Sequence, residues 1–262
     1  MRVRTARGAW TLAGGAAALT LLTATGAAHA EGKGDIRVTA AVVNGGKSVT
    51  IGTTQRVTYP IALTVRDDSG VKGVSHLSVF NTSDGLGFGD WTGTTCVKKS
   101  STTSVCTATI TVAPQWLPDS LPEDANHTAG VWQVNATVKA NDGDYWIADH
   151  VAEFTVKRAA KLTTDASPEP VAKGAKLTVT GRLTRANWED LKYHGFTGQS
   201  VKLQFRAAGA AHYRTVTTAR TGDAGRLAAK VTAGSAGSWR WYFPGTTTTA
   251  RVVSAGDAVA LE

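Results

Sequence analysis

Apolar and polar side chains alternate with a period of two along most of the chain, the pattern of strands with one face buried. Residues 36–43 lead to a turn at Asn44-Gly45-Gly46, and residues 57–65 alternate up to Asp67-Asp68-Ser69-Gly70. Residues 74–80, 105–112, 131–140 and 145–156 continue the series, with Asn141-Asp142-Gly143-Asp144 as a hairpin turn. Clusters of Gly, Asn, Asp, Ser and Pro separate the runs. Helical periodicity is almost absent beyond the first thirty residues. Seven or so short alternating strands in about 120 residues predict a two-sheet sandwich.

A second series follows Lys157-Arg158-Ala159-Ala160. Its strands are predicted at 176–184, 200–206, 213–219, 226–231, 238–243, 249–253 and 259–261, with a turn at Thr221-Gly222-Asp223-Ala224-Gly225. Residues 185–198 break the rhythm, and one helical turn is expected around Trp188-Glu189-Asp190-Leu191. The fold class is therefore all-β, with two sandwich domains at about 33–158 and 159–262. The joint between them is short, which restricts their mutual orientation.

The first thirty residues do not fit this pattern. Arg2, Arg4 and Arg7 precede an apolar stretch, roughly residues 9–25, that ends in Ala28-His29-Ala30. A charged start, an apolar middle and small residues at −3 and −1 predict a secretory signal peptide over residues 1–30. The apolar run is short and interrupted by Gly14 and Gly15, so a retained membrane span is not expected. Leu117-Pro118-Asp119-Ser120 faintly resembles a wall-sorting motif, but mid-chain it reads as a proline-containing loop. The expected product is a secreted, extracellular, monomeric chain.

Composition agrees with a globular protein: 42% hydrophobic and 18% charged residues, outside the range of disordered chains. Charge is uneven. Residues 31–160 carry 11 Lys and Arg against 13 Asp and Glu, and residues 161–262 carry 14 against 7. The basic half suits anionic surfaces such as wall polymers. Its Lys and Arg are scattered rather than clustered, so a nucleic-acid partner is not expected.

Cys96 and Cys106 are the only cysteines. Polar turn formers lie between them and Val97 and Val105 flank them, which reads as a hairpin that sets the two sulfurs opposite one another. After export the pair is expected to form a disulfide. The spacing is far from Cys-x-x-Cys, and no nearby histidine completes a zinc site.

Several runs carry a family resemblance. Ser167-Pro168-Glu169-Pro170, residues 177–188, residues 198–206 and Gly237-Ser238-Trp239-Arg240-Trp241-Tyr242-Phe243-Pro244-Gly245 resemble the bacterial immunoglobulin-like module of secreted actinobacterial proteins. Residues 43–47, 65–72 and 141–145 are similar to the uncharacterised immunoglobulin-like domain that often precedes it. The resemblance covers nearly all of the chain after residue 30. It implies secretion and two immunoglobulin-like β-sandwiches in tandem, and brings no catalytic residue with it.

Catalytic chemistry finds little support in the residues themselves. His76, His127, His150, His194 and His212 are scattered, and Gly-x-Ser-x-Gly and His-Glu-x-x-His are both missing. Glu123 with Asp124, and Glu189 with Asp190, are adjacent acids in polar loops rather than carboxylates spaced across a cleft. No catalytic residue and no organic cofactor is expected.

Calcium is the one cofactor the residues invite, because it takes six to eight oxygen ligands. Asp67, Asp68, Asp84, Asp90, Asp142 and Asp144 place carboxylates on turns that share an ion if they meet at one end of the sandwich. Glu153 falls at the twelfth position from Asp142, yet the Asp-x-Asp-Gly core of an EF-hand is missing. Asp-Gly turns also arise for backbone reasons alone.

Tryptophan supplies the other candidate chemistry. Trp239, Trp241 and Phe243 alternate and are expected to fill a core, as are Trp132 and Val134. Trp91, Trp116, Trp146 and Trp188 lie in or beside loops and are candidate stacking platforms for sugar rings. The function expected from the sequence is non-enzymatic binding or surface association, with a cell-wall polymer or other extracellular glycan as ligand. A calcium-dependent binding module and an enzyme of unrecognised type are the alternatives.

Overall fold

The structure, a computed structural model, describes residues 31–262 apart from residues 84, 121, 122 and 124. The expected signal peptide and Asp84 lie outside the described residues. Among the described residues no helix is long and apolar enough to cross a membrane.

The first half contains β1 (Glu31–Lys33), β2 (Arg37–Val43), β3 (Val49–Ile51), β4 (Val57–Arg66) and β5 (Val71–Asn81). These are followed by β6 (Asp90–Lys98), β7 (Thr103–Val112), the short helix α1 (Trp116–Ser120), β8 (Gly130–Ala140) and β9 (Tyr145–Arg158). One sheet has the order β2-β4-β7-β6. The other has β9 beside β8 and β8 beside β5, with β1 antiparallel and β3 parallel on the outer edge of β9. The chain crosses between the sheets after β1, β2, β3, β4, β5 and β7. Two antiparallel sheets joined this way, with a short parallel strand against the last one, form an immunoglobulin-like sandwich.

The second half repeats the plan. It contains β10 (Ala160–Leu162), β11 (Asp165–Ser167), β12 (Lys176–Asn187), β13 (Lys192–Gly195) and β14 (Ser200–Ala207). Then come β15 (Arg214–Arg220), β16 (Arg226–Thr232), β17 (Gly237–Phe243), β18 (Val252–Val253) and β19 (Asp257–Val259). In one sheet β12 pairs with β10, β11, β13 and β16. The other runs β15-β14-β17-β18, with β19 also on β17. A parallel bridge joins Val171 to Leu261, as β3 joins β9 in the first half.

Period-two alternation fills both cores. On β4, Tyr59, Ile61, Leu63 and Val65 point inward and are buried, and on β7 Cys106, Ala108, Ile110 and Val112 meet them. From the opposite sheet come Trp132, Val134, Ala136 and Val138. Trp239, Trp241 and Phe243 fill the second core as the alternation predicts. Gly181 sits where the two sheets of that core approach closely. A Cβ there would lie 2.8 Å from the Trp241 ring and 2.5 Å from the Thr163 carbonyl oxygen.

Cys96 and Cys106 face one another in register on β6 and β7 and form a disulfide. The bridge ties two neighbouring strands of one sheet and does not cross the core. The segment Leu117-Pro118-Asp119-Ser120, expected as a loop, lies in α1.

One departure from expectation governs the architecture. Residues 188–191 form a turn, but it is the turn of a hairpin and no helix forms in residues 185–198. β12 continues to Asn187, and β13 folds back on it with Ala186 opposite Tyr193 and Asn187 opposite Lys192. This hairpin reaches beyond its own sandwich, and Ala186 and Trp188 are buried in the core of the first one. Phe88 stacks edge-on against both Trp132, at 4.6 Å between centroids, and Trp188, at 6.0 Å. An aromatic column thus runs from the first core into the junction.

Candidate functional site

Two places gather chemistry, at opposite ends of β9. They are separated by the fourteen residues of that strand, roughly 45 Å at the usual rise per residue.

At the start of β9, three segments converge: the residues leading into β2, the β4–β5 turn and the β8–β9 turn. Asp67 lies two residues beyond Val65, at the next inward position of the β4 alternation, and is fully buried. Its Oδ1 accepts hydrogen bonds from the Ser69 backbone N–H at 2.9 Å and the Ser69 hydroxyl at 2.6 Å. Its Oδ2 is buried and has no hydrogen-bond partner. Asp68, Asp142 and Asp144, three of the six aspartates nominated from the sequence, stand around it. Asp35, which was not among the six, completes the group. Carboxylate oxygens of Asp35, Asp67 and Asp144 lie within 4.8 Å of one another, and so do those of Asp67, Asp68 and Asp142.

The neighbouring backbone fixes this arrangement. The Asp35 N–H donates to Asp144 Oδ2 at 3.1 Å, the Asp144 N–H to Asp142 Oδ1 at 3.0 Å, and the Asp142 N–H to Ser69 Oγ at 3.3 Å. Gly34 adopts φ +79°, and a Cβ at that position would overlap the Asp144 carboxylate. Burial, then the charges of Asp68 and Asp67, push the Asp35 carboxyl above the usual carboxylate range. Asp90 does not belong to the group. It begins β6 opposite Thr111, at the other end of that strand.

At the far end of β9 lies the junction between the sandwiches. The Trp188 Nε1 donates to the Ile51 carbonyl at 3.3 Å, and the Trp188 N–H to Asn126 Oδ1 at 3.0 Å. The Asn126 amide donates to Asn187 Oδ1 at 2.5 Å. Backbone pairing continues across the joint: the Ala159 N–H reaches the Ile51 carbonyl and the Ala186 N–H reaches the Ala159 carbonyl, both at 2.8 Å. Arg158 is buried here and donates through Nε to the Ala186 carbonyl at 2.6 Å. Burial, then the neighbouring Arg185, lowers its guanidinium to a pKa of about 10, against the pull of Glu189.

Beside this joint opens a polar groove of about 420 Å³, lined by residues that include Thr53, Gln55, Arg56, Lys161 and Tyr193. Lys161 Nζ sits 4.0 Å above the centre of the Tyr193 ring. The Arg56 guanidinium sits 5.3 Å from the centre of the exposed Trp116 ring. Neither cation forms an ion pair with a carboxylate among the described residues.

The four candidate tryptophans separate clearly. Trp116 is exposed, with the guanidinium of the groove residue Arg56 over its ring. Trp146 is half-buried under the Arg37 guanidinium, at 5.6 Å. Trp91 is half-buried against the first core, and its Nε1 is buried without a partner. Trp188 corrects the expectation of a loop platform: it is fully buried and serves the junction.

The close histidine–carboxylate contacts lie on the surface. His194 Nε2 is 2.6 Å from Asp190 Oδ2, and His150 Nε2 is 3.2 Å from Glu153 Oε1. No serine or cysteine joins either pair among their hydrogen bonds.

No family model and no curated relative matches the chain. Among solved structures it is similar to the D00–D0 domains of intimin, at 13% identity and a TM-score of 0.29 over 84% of this chain and 99% of that one. It is similar also to FdeC, an Escherichia coli adhesin, at 21% identity and a TM-score of 0.31 over 85% and 63% of the two chains. The titin domains Z1Z2 match at 12% identity and a TM-score of 0.23 over 87% and 96%. The chain itself is defined by its strand pairing, as two immunoglobulin-like sandwiches in tandem.

Proposed function

We propose that the protein is a non-enzymatic extracellular binding protein, and that its ligand is an anionic polysaccharide of a cell surface, held in the junction groove. The observation that carries this reading is one groove lined by Arg56, Lys161 and Tyr193, with Lys161 over the Tyr193 ring and Arg56 over the exposed Trp116 ring. Aromatic faces stack on sugar rings, and unpaired cations beside them attract acidic substituents. The excess of Lys and Arg over Asp and Glu in residues 161–262 extends the favourable field. The Cys96–Cys106 disulfide and the expected signal peptide support an oxidising compartment outside the cell.

The test is a binding panel read by tryptophan fluorescence and by co-sedimentation with insoluble wall material. Acidic polymers are expected to bind and neutral polymers of similar backbone to bind less. Trp116→Ala and Lys161→Ala are expected to lose most of that binding. Equal binding by both variants and the parent chain, or no binding to any acidic polymer, overturns the reading.

A further inference from the structure

The Asp67 carboxylate presents an imbalance that the rest of the fold does not resolve. It is fully buried, one oxygen is satisfied by Ser69, and Oδ2 has no donor. A buried, unpartnered carboxylate oxygen is costly, because desolvation is not offset. Four further carboxylates surround it, and among the described residues none makes an ion pair with a lysine or arginine. The local backbone brings negative charge together here. The Asp35 N–H steadies Asp144 Oδ2, the Asp144 N–H binds Asp142 Oδ1 within its own turn, and the Asp142 N–H reaches Ser69 Oγ on the β4–β5 turn.

We propose that this cluster binds a calcium ion on Asp67 Oδ2, with oxygens from Asp35, Asp144, Asp68 and Asp142 available around it. The donor set is all oxygen, with no histidine or cysteine in either triad. That composition selects a hard cation over zinc or copper. Ligand oxygens on one calcium lie 2.3–2.6 Å from the ion, so opposite ligands stand about 5 Å apart. Oxygens within each triad lie within 4.8 Å of one another, close enough to share one ion. Magnesium needs a tighter octahedron at 2.0–2.1 Å and gives up its waters reluctantly. Three separate chain segments provide the ligands, which suits the more adaptable calcium shell. A bound ion joins the approach to β2, the β4–β5 turn and the β8–β9 turn at the end of the first sandwich away from the junction. The site is independent of the groove proposed above.

The experiment uses the full chain, stripped with chelator and desalted. Calcium chloride is titrated by calorimetry, and thermal unfolding is followed with and without the metal. The expected result is a saturable heat with Kd of about 1 mM or tighter, the range of extracellular calcium modules, and a rise in Tm that an equal concentration of magnesium does not match. Asp67→Asn is expected to abolish the response. Asp142→Asn and Asp144→Asn change a surface turn and keep an amide oxygen as acceptor for the local backbone bonds. They are expected to fold normally and to weaken calcium binding about tenfold or more. No heat and no Tm shift at about 10 mM calcium, ten times the weakest expected Kd, overturns the proposal. So does parental affinity in both turn variants, and so does an equal response to magnesium.

Discussion

The Trp188 Nε1 donates to the carbonyl oxygen of Ile51 at 3.3 Å, across 137 residues of sequence. Trp188 comes from the second sandwich and fills the base of the first, against Phe88. The junction is therefore a shared piece of core rather than a linker. Trp188→Ala is expected to destabilise the protein by about 3–5 kcal/mol, as for other large buried aromatics. The loss should appear as separation of one denaturant transition into two and as faster proteolysis near residues 158–160. Trp188→Phe keeps most of the packing and loses the hydrogen bond, and is expected to retain a single transition. Two independent transitions in the parent chain would contradict the shared core.

Ionic strength gives the clearest signature of the junction groove. Lys161 and Arg56 are placed over aromatic rings and have no carboxylate partner among the described residues. Their attraction for an acidic polymer acts through solvent and is screened within about 8 Å at physiological salt. Affinity is expected to fall steadily as salt is raised, and the slope to shrink in Lys161→Ala and Arg56→Ala. Trp116→Ala is expected to lower affinity about fivefold or more with the salt slope unchanged, since it removes a stacking face and not a charge. A titration series in salt, read by fluorescence, separates the two effects.

The disulfide provides a third expectation. Cys96 and Cys106 are ten residues apart and join adjacent strands in register. By loop-closure entropy, the bridge contributes about 2–3 kcal/mol against the unfolded chain. The double variant Cys96→Ala, Cys106→Ala is expected to lose about that much in chemical denaturation and to keep the fold, because Tyr59, Ile61 and Trp132 still close the core. A far-ultraviolet spectrum unlike the parent's would show that the bridge is required for the sandwich itself.

The fold was legible where burial follows from local alternation. Tyr59, Ile61, Leu63 and Val65 alternate in sequence and line the core, and extending the series two residues also places Asp67 inside. Short elements escaped. β3 and β13 span three and four residues, too few to show a period. Trp188 escaped for a different reason: its burial is supplied by the other sandwich, and no pattern within residues 185–198 encodes that. The acidic turns were legible as turns, and two of them do meet. Asp35 was not, because its place beside Asp67 depends on where β1 and β2 enter the sheets. Asp90 looked equivalent by composition, yet strand direction carries it to the opposite end of β6.

Alkaline stability tests the packing of the first core through Tyr59. Burial pushes the Tyr59 phenol well above its usual value, and the side chain is almost wholly enclosed. Below pH 10 the phenol is protonated in both folded and unfolded chains, and its contribution to stability is complete. Above that pH the unfolded chain releases the proton and the folded chain does not, so stability falls as pH rises toward the folded value. Arg158 acts in the opposite sense, since its lowered folded pKa of about 10 makes the unfolded chain the better proton acceptor above that pH. The comparison of parent and Tyr59→Phe cancels the Arg158 contribution, which both chains share. Phenylalanine keeps the ring that meets Phe154 at 5.8 Å and removes only the ionisable group. Denaturation midpoints are therefore expected to be similar near pH 8 and to diverge above about pH 10, with Tyr59→Phe the more stable, as the phenol's ordinary ionisation dictates. Parallel decline of the two proteins through that range would mean that Tyr59 is open to solvent.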